Sequence, residues 1–145
     1  MLAKRLIDGL YVEAMVLADE VRAYFDDSGR PARDALTPID RVLFSCESLK
    51  VTTRLMHVVA WLLTQRAVEA GEISPAGARE PQRRLGAQVE TDTDTLARLP
   101  EEAQQFVTAS IELHGRVARL EAGLDDEFPV ASPARQLLGR LHQAF

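Results

Sequence analysis

Apolar residues recur along this chain in three long stretches with helical spacing, parted by polar breaks. In the first, Leu6, Leu10, Ala14, Leu17, Val21 and Tyr24 follow at steps of four and three. That spacing lines one face of a helix over about residues 2–26. "DDSGRPARDAL" interrupts it, with Gly29 and Pro31 as punctuation. A second helix opens at Thr37-Pro38: threonine suits the N-cap, proline the first helical position, and Asp40 the positive end of the helix dipole. Nothing breaks the pattern until Gly71, a natural residue just past a helix C-terminus. The helix is therefore about 33 residues and about 50 Å long, the central pillar of a small protein.

Ser74-Pro75 starts a short helix that Pro81 limits or kinks. The polar, threonine-rich stretch Gln88 to Leu96 reads as a mobile surface connection. Leu99, Ala103, Phe106, Ser110, Leu113, Val117, Leu120 and Leu124 then keep a strict four-three alternation, the seam of a bundle helix from Pro100 to about Gly123. "LDDEFPVASP" reads as a linker, and Ser132-Pro133 starts a short amphipathic piece carrying Leu137, Leu138, Leu141 and Phe145. No strand signal of any strength appears. The pattern predicts an all-α fold: an antiparallel three-helix bundle over residues 1–124 with a long central helix, then a linker and flexible C-terminal tail over 125–145.

Composition narrows the function classes. The chain has 145 residues, 46% hydrophobic and 27% charged, an ordinary globular balance for one domain that needs no metal or disulfide staple. Its net charge of −5 and pI of about 5.2 speak against a nucleic-acid binder. One cysteine, Cys46, excludes an internal disulfide framework and fits a reducing compartment. Near the start of a buried face, it reads as core filler. Charges interrupt every apolar run near the N-terminus, so a signal peptide is not expected. The longest apolar run, Val58 to Leu63, is far short of a membrane span. These features predict a cytoplasmic protein.

The candidate chemistry is thin. His57, His114 and His142 lie on three different segments without metal-ligand spacing, and there is no phosphate loop or paired-carboxylate signature. Neither a cofactor, a metal nor catalysis is expected. One feature is more specific. Glu47, Lys50, Arg54, His57, Trp61, Thr64 and Val68 are spaced three, four, three, four, three, four along the central helix, so they share one seam. In a three-helix bundle the central helix keeps one open side, and this polar line is expected to mark it. It then serves as a solvated face or as an association surface, in a dimer or a docking contact, because Trp and Arg anchor interfaces. Thr52 and Thr53, small for a helix interior, read as sites of close helix approach.

The block "ESLKVTTRLMHVVAWLLTQRAVEAGEISPAGAR", with "SIELHGRVARL" in the third helix, resembles the alphaproteobacterial family named for RcdA, the regulator of CtrA degradation. The likeness covers about Tyr11 to Leu120 and is most specific at Glu47-Ser48, Thr52 to Met56, Trp61 to Leu63 and Gln65 to Ala67. It implies a homodimeric three-helix bundle with no catalytic residues. It also implies an adaptor role in regulated proteolysis, in which the ClpXP protease destroys the response regulator CtrA together with the accessory proteins CpdR and PopA. A dimeric helical scaffold with no protease link is the competing expectation. Under either, the partner-binding candidates are Glu47, Lys50, Arg54, His57, Trp61, Leu137, Leu138, Leu141 and Phe145.

Overall fold

The structure, a computed structural model, describes residues 2–127. Three long helices dominate it: α1 (Leu2–Ala23), α3 (Pro38–Glu69) and α6 (Glu101–Glu127). Short helices α2 (Arg30–Asp34), α4 (Pro75–Ala78) and α5 (Thr93–Ala97) lie in the connections, and the described residues contain no strand. The fold is thus the all-α bundle that the apolar spacing predicts.

Local chemistry sets the boundaries. Helix α1 passes into a π-helical turn, Tyr24–Ser28, closed by the Gly29 N–H donating to the Tyr24 carbonyl at 2.6 Å. A Cβ on Gly29 would sit 2.7 Å from that oxygen, so the turn needs glycine for close approach. Helix α3 begins where the Thr37 hydroxyl accepts from the Asp40 N–H at 3.3 Å, with Pro38 in its first turn. It ends before Gly71, whose φ of 76° is the left-handed conformation that terminates helices. Helix α6 runs through Asp125–Glu127, which the sequence assigns to a linker. Acidic residues are unfavourable in a last turn. Here Arg84 offsets them by donating to both carboxylate oxygens of Asp125 while also pairing with Glu121 at 3.5 Å.

Helix α1 runs antiparallel to both of its long neighbours. Asp8 meets Arg66 of α3 at 3.6 Å near one end, and Tyr24 packs on Phe44 at the other with ring centroids 6.2 Å apart. Glu13 pairs with Arg116 of α6, and Tyr24 packs on Phe106 at 5.2 Å. The core between the helices is aliphatic, with Ala14, Val51, Val58, Leu62, Val107 and Val117 all buried. Tyr24, Phe25, Phe44 and Phe106 close one end as an aromatic cluster.

Residues 70–100 carry the chain back along the bundle, so α6 runs in the direction of α3. A strap over residues 85–98 lies along the α3–α6 seam. Leu85 is buried and its N–H donates to Glu121 at 3.0 Å. Gln88 donates to the Ile111 carbonyl at 3.1 Å, and Arg98 pairs with Asp40 at 2.8 Å. The reading of Gln88 to Leu96 as a mobile surface connection is therefore corrected: these residues are tied to both long helices, and 93–97 form α5. An extended segment leaves its carbonyls without helical partners, and this one finds them on remote side chains that local sequence does not reveal.

Candidate functional site

The polar line of α3 faces inward along most of its length. Glu47, Arg54 and Trp61 are 2%, 0% and 3% exposed, Lys50 and Thr64 are half-buried, and His57 alone of the seam candidates is exposed. The expectation of an open polar side is corrected, and the physical reason is the strap. The Arg54 guanidinium donates to the Val89 carbonyl at 2.8 Å, to the Thr91 hydroxyl at 2.6 Å and to the Ser110 hydroxyl of α6 at 3.2 Å. Thr91 passes its own hydrogen to Glu47 at 2.5 Å. Lys50 meets Glu47 at 3.0 Å and donates to the Glu90 carbonyl at 3.0 Å. Ser110 completes the chain by donating to the Val107 carbonyl at 2.8 Å.

Glu47, Lys50 and Arg54 are thus brought together as a clasp that pins the strap. A buried charge is tolerated when it is paired and hydrogen-bonded, and Arg54 uses several donors of its fork. Burial still pushes its pKa down, opposed by Glu47. His114 of α6 lies beside this cluster, 2% exposed, with Nε2 unpartnered. Burial lowers its pKa most, and the charges of His57 and Arg54 lower it further. Trp61 belongs to the other end of the bundle, on the floor of a cleft with Ile7 and Leu124. Leu137, Leu138, Leu141 and Phe145 lie outside the described residues.

The unpartnered surface is elsewhere. On α3, Ile39, Val42, Cys46, Leu49, Thr53, Met56, Ala60 and Leu63 are spaced three, four, three, four, three, four, three. Ile39, Val42, Leu49 and Met56 are 62–68% exposed, and Leu63 is 47% exposed. Cys46 belongs to this seam and is exposed, which corrects its reading as core filler. Thr52 bonds back to the Ser48 carbonyl at 3.0 Å and points to solvent instead of into a close helix contact. Helix α1 extends the surface with Met15, and its Val12 and Val16 are exposed as well. Between the two helices runs an apolar groove of about 740 Å³, lined by Met15, Ala18, Phe25, Leu49, Met56 and Leu63 among others. A heptad-spaced apolar seam that no other described residue covers is the geometry of helix–helix association. The signal was present in the sequence. The periodicity gave two seams on one helix, and it does not say which one a non-local strap would cover.

Among the described residues, no group of three metal-ligating side chains is placed to hold an ion, and no helix is long and apolar enough to cross a membrane. No curated protein matches the chain. Among solved structures, the chain is similar to RcdA from Caulobacter crescentus CB15, with 34% identity over 80% of this chain and 88% of that one, and a TM-score of 0.65. The sequence profile of the family described as "Protein of unknown function (DUF1465)" matches residues 1–145, and the chain belongs to this RcdA-like family.

Proposed function

We propose that this protein is a non-catalytic adaptor that works through protein–protein contacts in cell-cycle proteolysis, assisting ClpXP-dependent degradation of CtrA. The observation that carries the contact role is the uncovered apolar face of α1 and α3, with its heptad-spaced row from Ile39 to Leu63. The likeness to RcdA over most of both chains supports placing it in this pathway. In this reading CpdR and PopA act alongside it in the cytoplasm, and a second copy of the chain covers the apolar face as a homodimer. Such a seam supports dimers because apolar knobs recur on the same side of the helix every turn or two.

The test is reconstituted degradation of CtrA by ClpXP with CpdR and PopA, with and without this protein. Faster loss of CtrA when it is added is the expected result. Unchanged loss, with the protein still dimeric, leaves a helical scaffold with no protease link.

A further inference from the structure

Beyond Met1, the chain carries its sulfur in Met15, Cys46 and Met56, and all of it lies on the apolar face of α1 and α3. Met15 and Met56 line the groove from opposite helices, 39% and 64% exposed, and Cys46 is exposed on the α3 row. Among the described residues the buried core contains no sulfur. Methionine is flexible and apolar, so it fills the gaps of a helix–helix contact well. It is also an apolar side chain that peroxide converts to a polar one. The thioether sulfur attacks one oxygen of hydrogen peroxide, the O–O bond breaks and a sulfur–oxygen bond forms. Sulfur gives up two electrons, the peroxide is reduced, and water leaves. The sulfoxide oxygen is a hydrogen-bond acceptor with little in the groove to answer it. The Ser48 and Thr52 hydroxyls already donate to the Ser45 and Ser48 carbonyls at 2.8 and 3.0 Å, and Arg22 sits at the exposed rim with Asp19 at 3.3 Å. An acceptor covered without a partner is costly.

We propose that Met15 and Met56 are oxidation sites that govern this face, and that their sulfoxides release a second copy of the chain from it. The proposal rests on the association reading given above. The two sulfurs are exposed in the single chain and covered in the dimer, so peroxide reaches them in the dissociated form. Each conversion then removes one chain from the associating pool. A thiol-dependent methionine sulfoxide reductase restores the thioether; two thiols end as a disulfide and the oxygen leaves as water. The fold survives the change, because both side chains point out of the bundle and the clasp and the aromatic cluster hold no sulfur.

Sedimentation of the full chain before and after hydrogen peroxide tests it, while mass spectrometry of its fragments counts the oxygen gained at Met15 and Met56. The expected result is a dimer dissociation constant raised at least tenfold once both residues are converted, with helical circular dichroism unchanged. Methionine sulfoxide reductase with dithiothreitol should restore the starting value. Conversion should also slow as protein concentration rises. A full-length chain carrying Met15→Leu and Met56→Leu, changes that nearly conserve volume, should show one and the same dissociation constant before and after peroxide. A Cys46→Ser chain should respond by the same factor as the native one. Two results would overturn this proposal alone: a dimer unmoved by full conversion at both methionines, or an equal response in the double leucine variant. A native chain that is monomeric before any treatment would overturn the association reading and this proposal with it.

Discussion

Arg54 answers why a buried helix keeps a polar row. Its fork is spent on a strap carbonyl, a strap hydroxyl and a hydroxyl of α6, so one side chain joins three segments. Arg54→Met should therefore lower unfolding free energy by about 3 kcal/mol, because the Val89 carbonyl and the Thr91 and Ser110 hydroxyls lose their donor and Glu47 loses a nearby positive charge. Urea denaturation measures it. Adding Glu47→Gln should cost less than the sum of the single changes, since the two groups belong to one network. His114 gives a pH signature. Its pKa is lowered in the folded state, so the unfolded chain takes up its proton first as pH falls. Stability from this group is intact above about pH 6.5, declines as pH drops toward the folded value, and levels off below it. His114→Asn should flatten that part of the stability–pH curve, read by thermal melts across pH 5–8. Sequence reasoning found Glu47, Lys50 and Arg54 as one set and turned it the wrong way. Periodicity groups residues on a line, while the direction of the line depends on what packs over it.

Elements were the most legible level. The caps of α3 act as the residues suggest, and each contributes separately. Thr37→Ala should cost about 1 kcal/mol by freeing the Asp40 N–H. Gly71→Ala should cost a similar amount, about 1 kcal/mol, through its positive φ. They sit at opposite ends of a long helix, so the double variant should show the sum in urea denaturation. Gly29→Ala should be worse than either, because the new methyl meets a backbone oxygen that cannot swing aside. The strap was illegible for a physical reason. An extended segment with no apolar alternation carries no period, and its partners, Glu47, Lys50, Arg54 and Ile111, are far away in sequence. The end of α6 was underestimated for a similar reason, since Arg84 holds its acidic last turn from outside the helix.

For the whole molecule, the return path of residues 70–100 decides which surfaces are left. By laying the strap over the α3–α6 side, it buries the polar row, and among the described residues the α1–α3 side keeps its apolar side chains exposed. That division separates stability from association, and paired substitutions expose it. Trp61 is buried, so Trp61→Ala should cost about 3–5 kcal/mol and lower the melting temperature, while sedimentation still shows the native oligomer at concentrations and temperatures where the variant is folded. Met56→Glu and Leu49→Lys change side chains that are 64% and 68% exposed. They should alter single-chain stability by less than about 0.5 kcal/mol, yet shift sedimentation from twice the monomer mass to the monomer mass at micromolar concentration. A pair carrying opposite charges, one chain with Met56→Glu mixed with another carrying Met56→Lys, should regain part of the association if these positions approach one another across the two-fold contact. Dimers that survive both single changes would mean that the contact lies on another face, and the heptad row from Ile39 to Leu63 would then be free to receive a different partner.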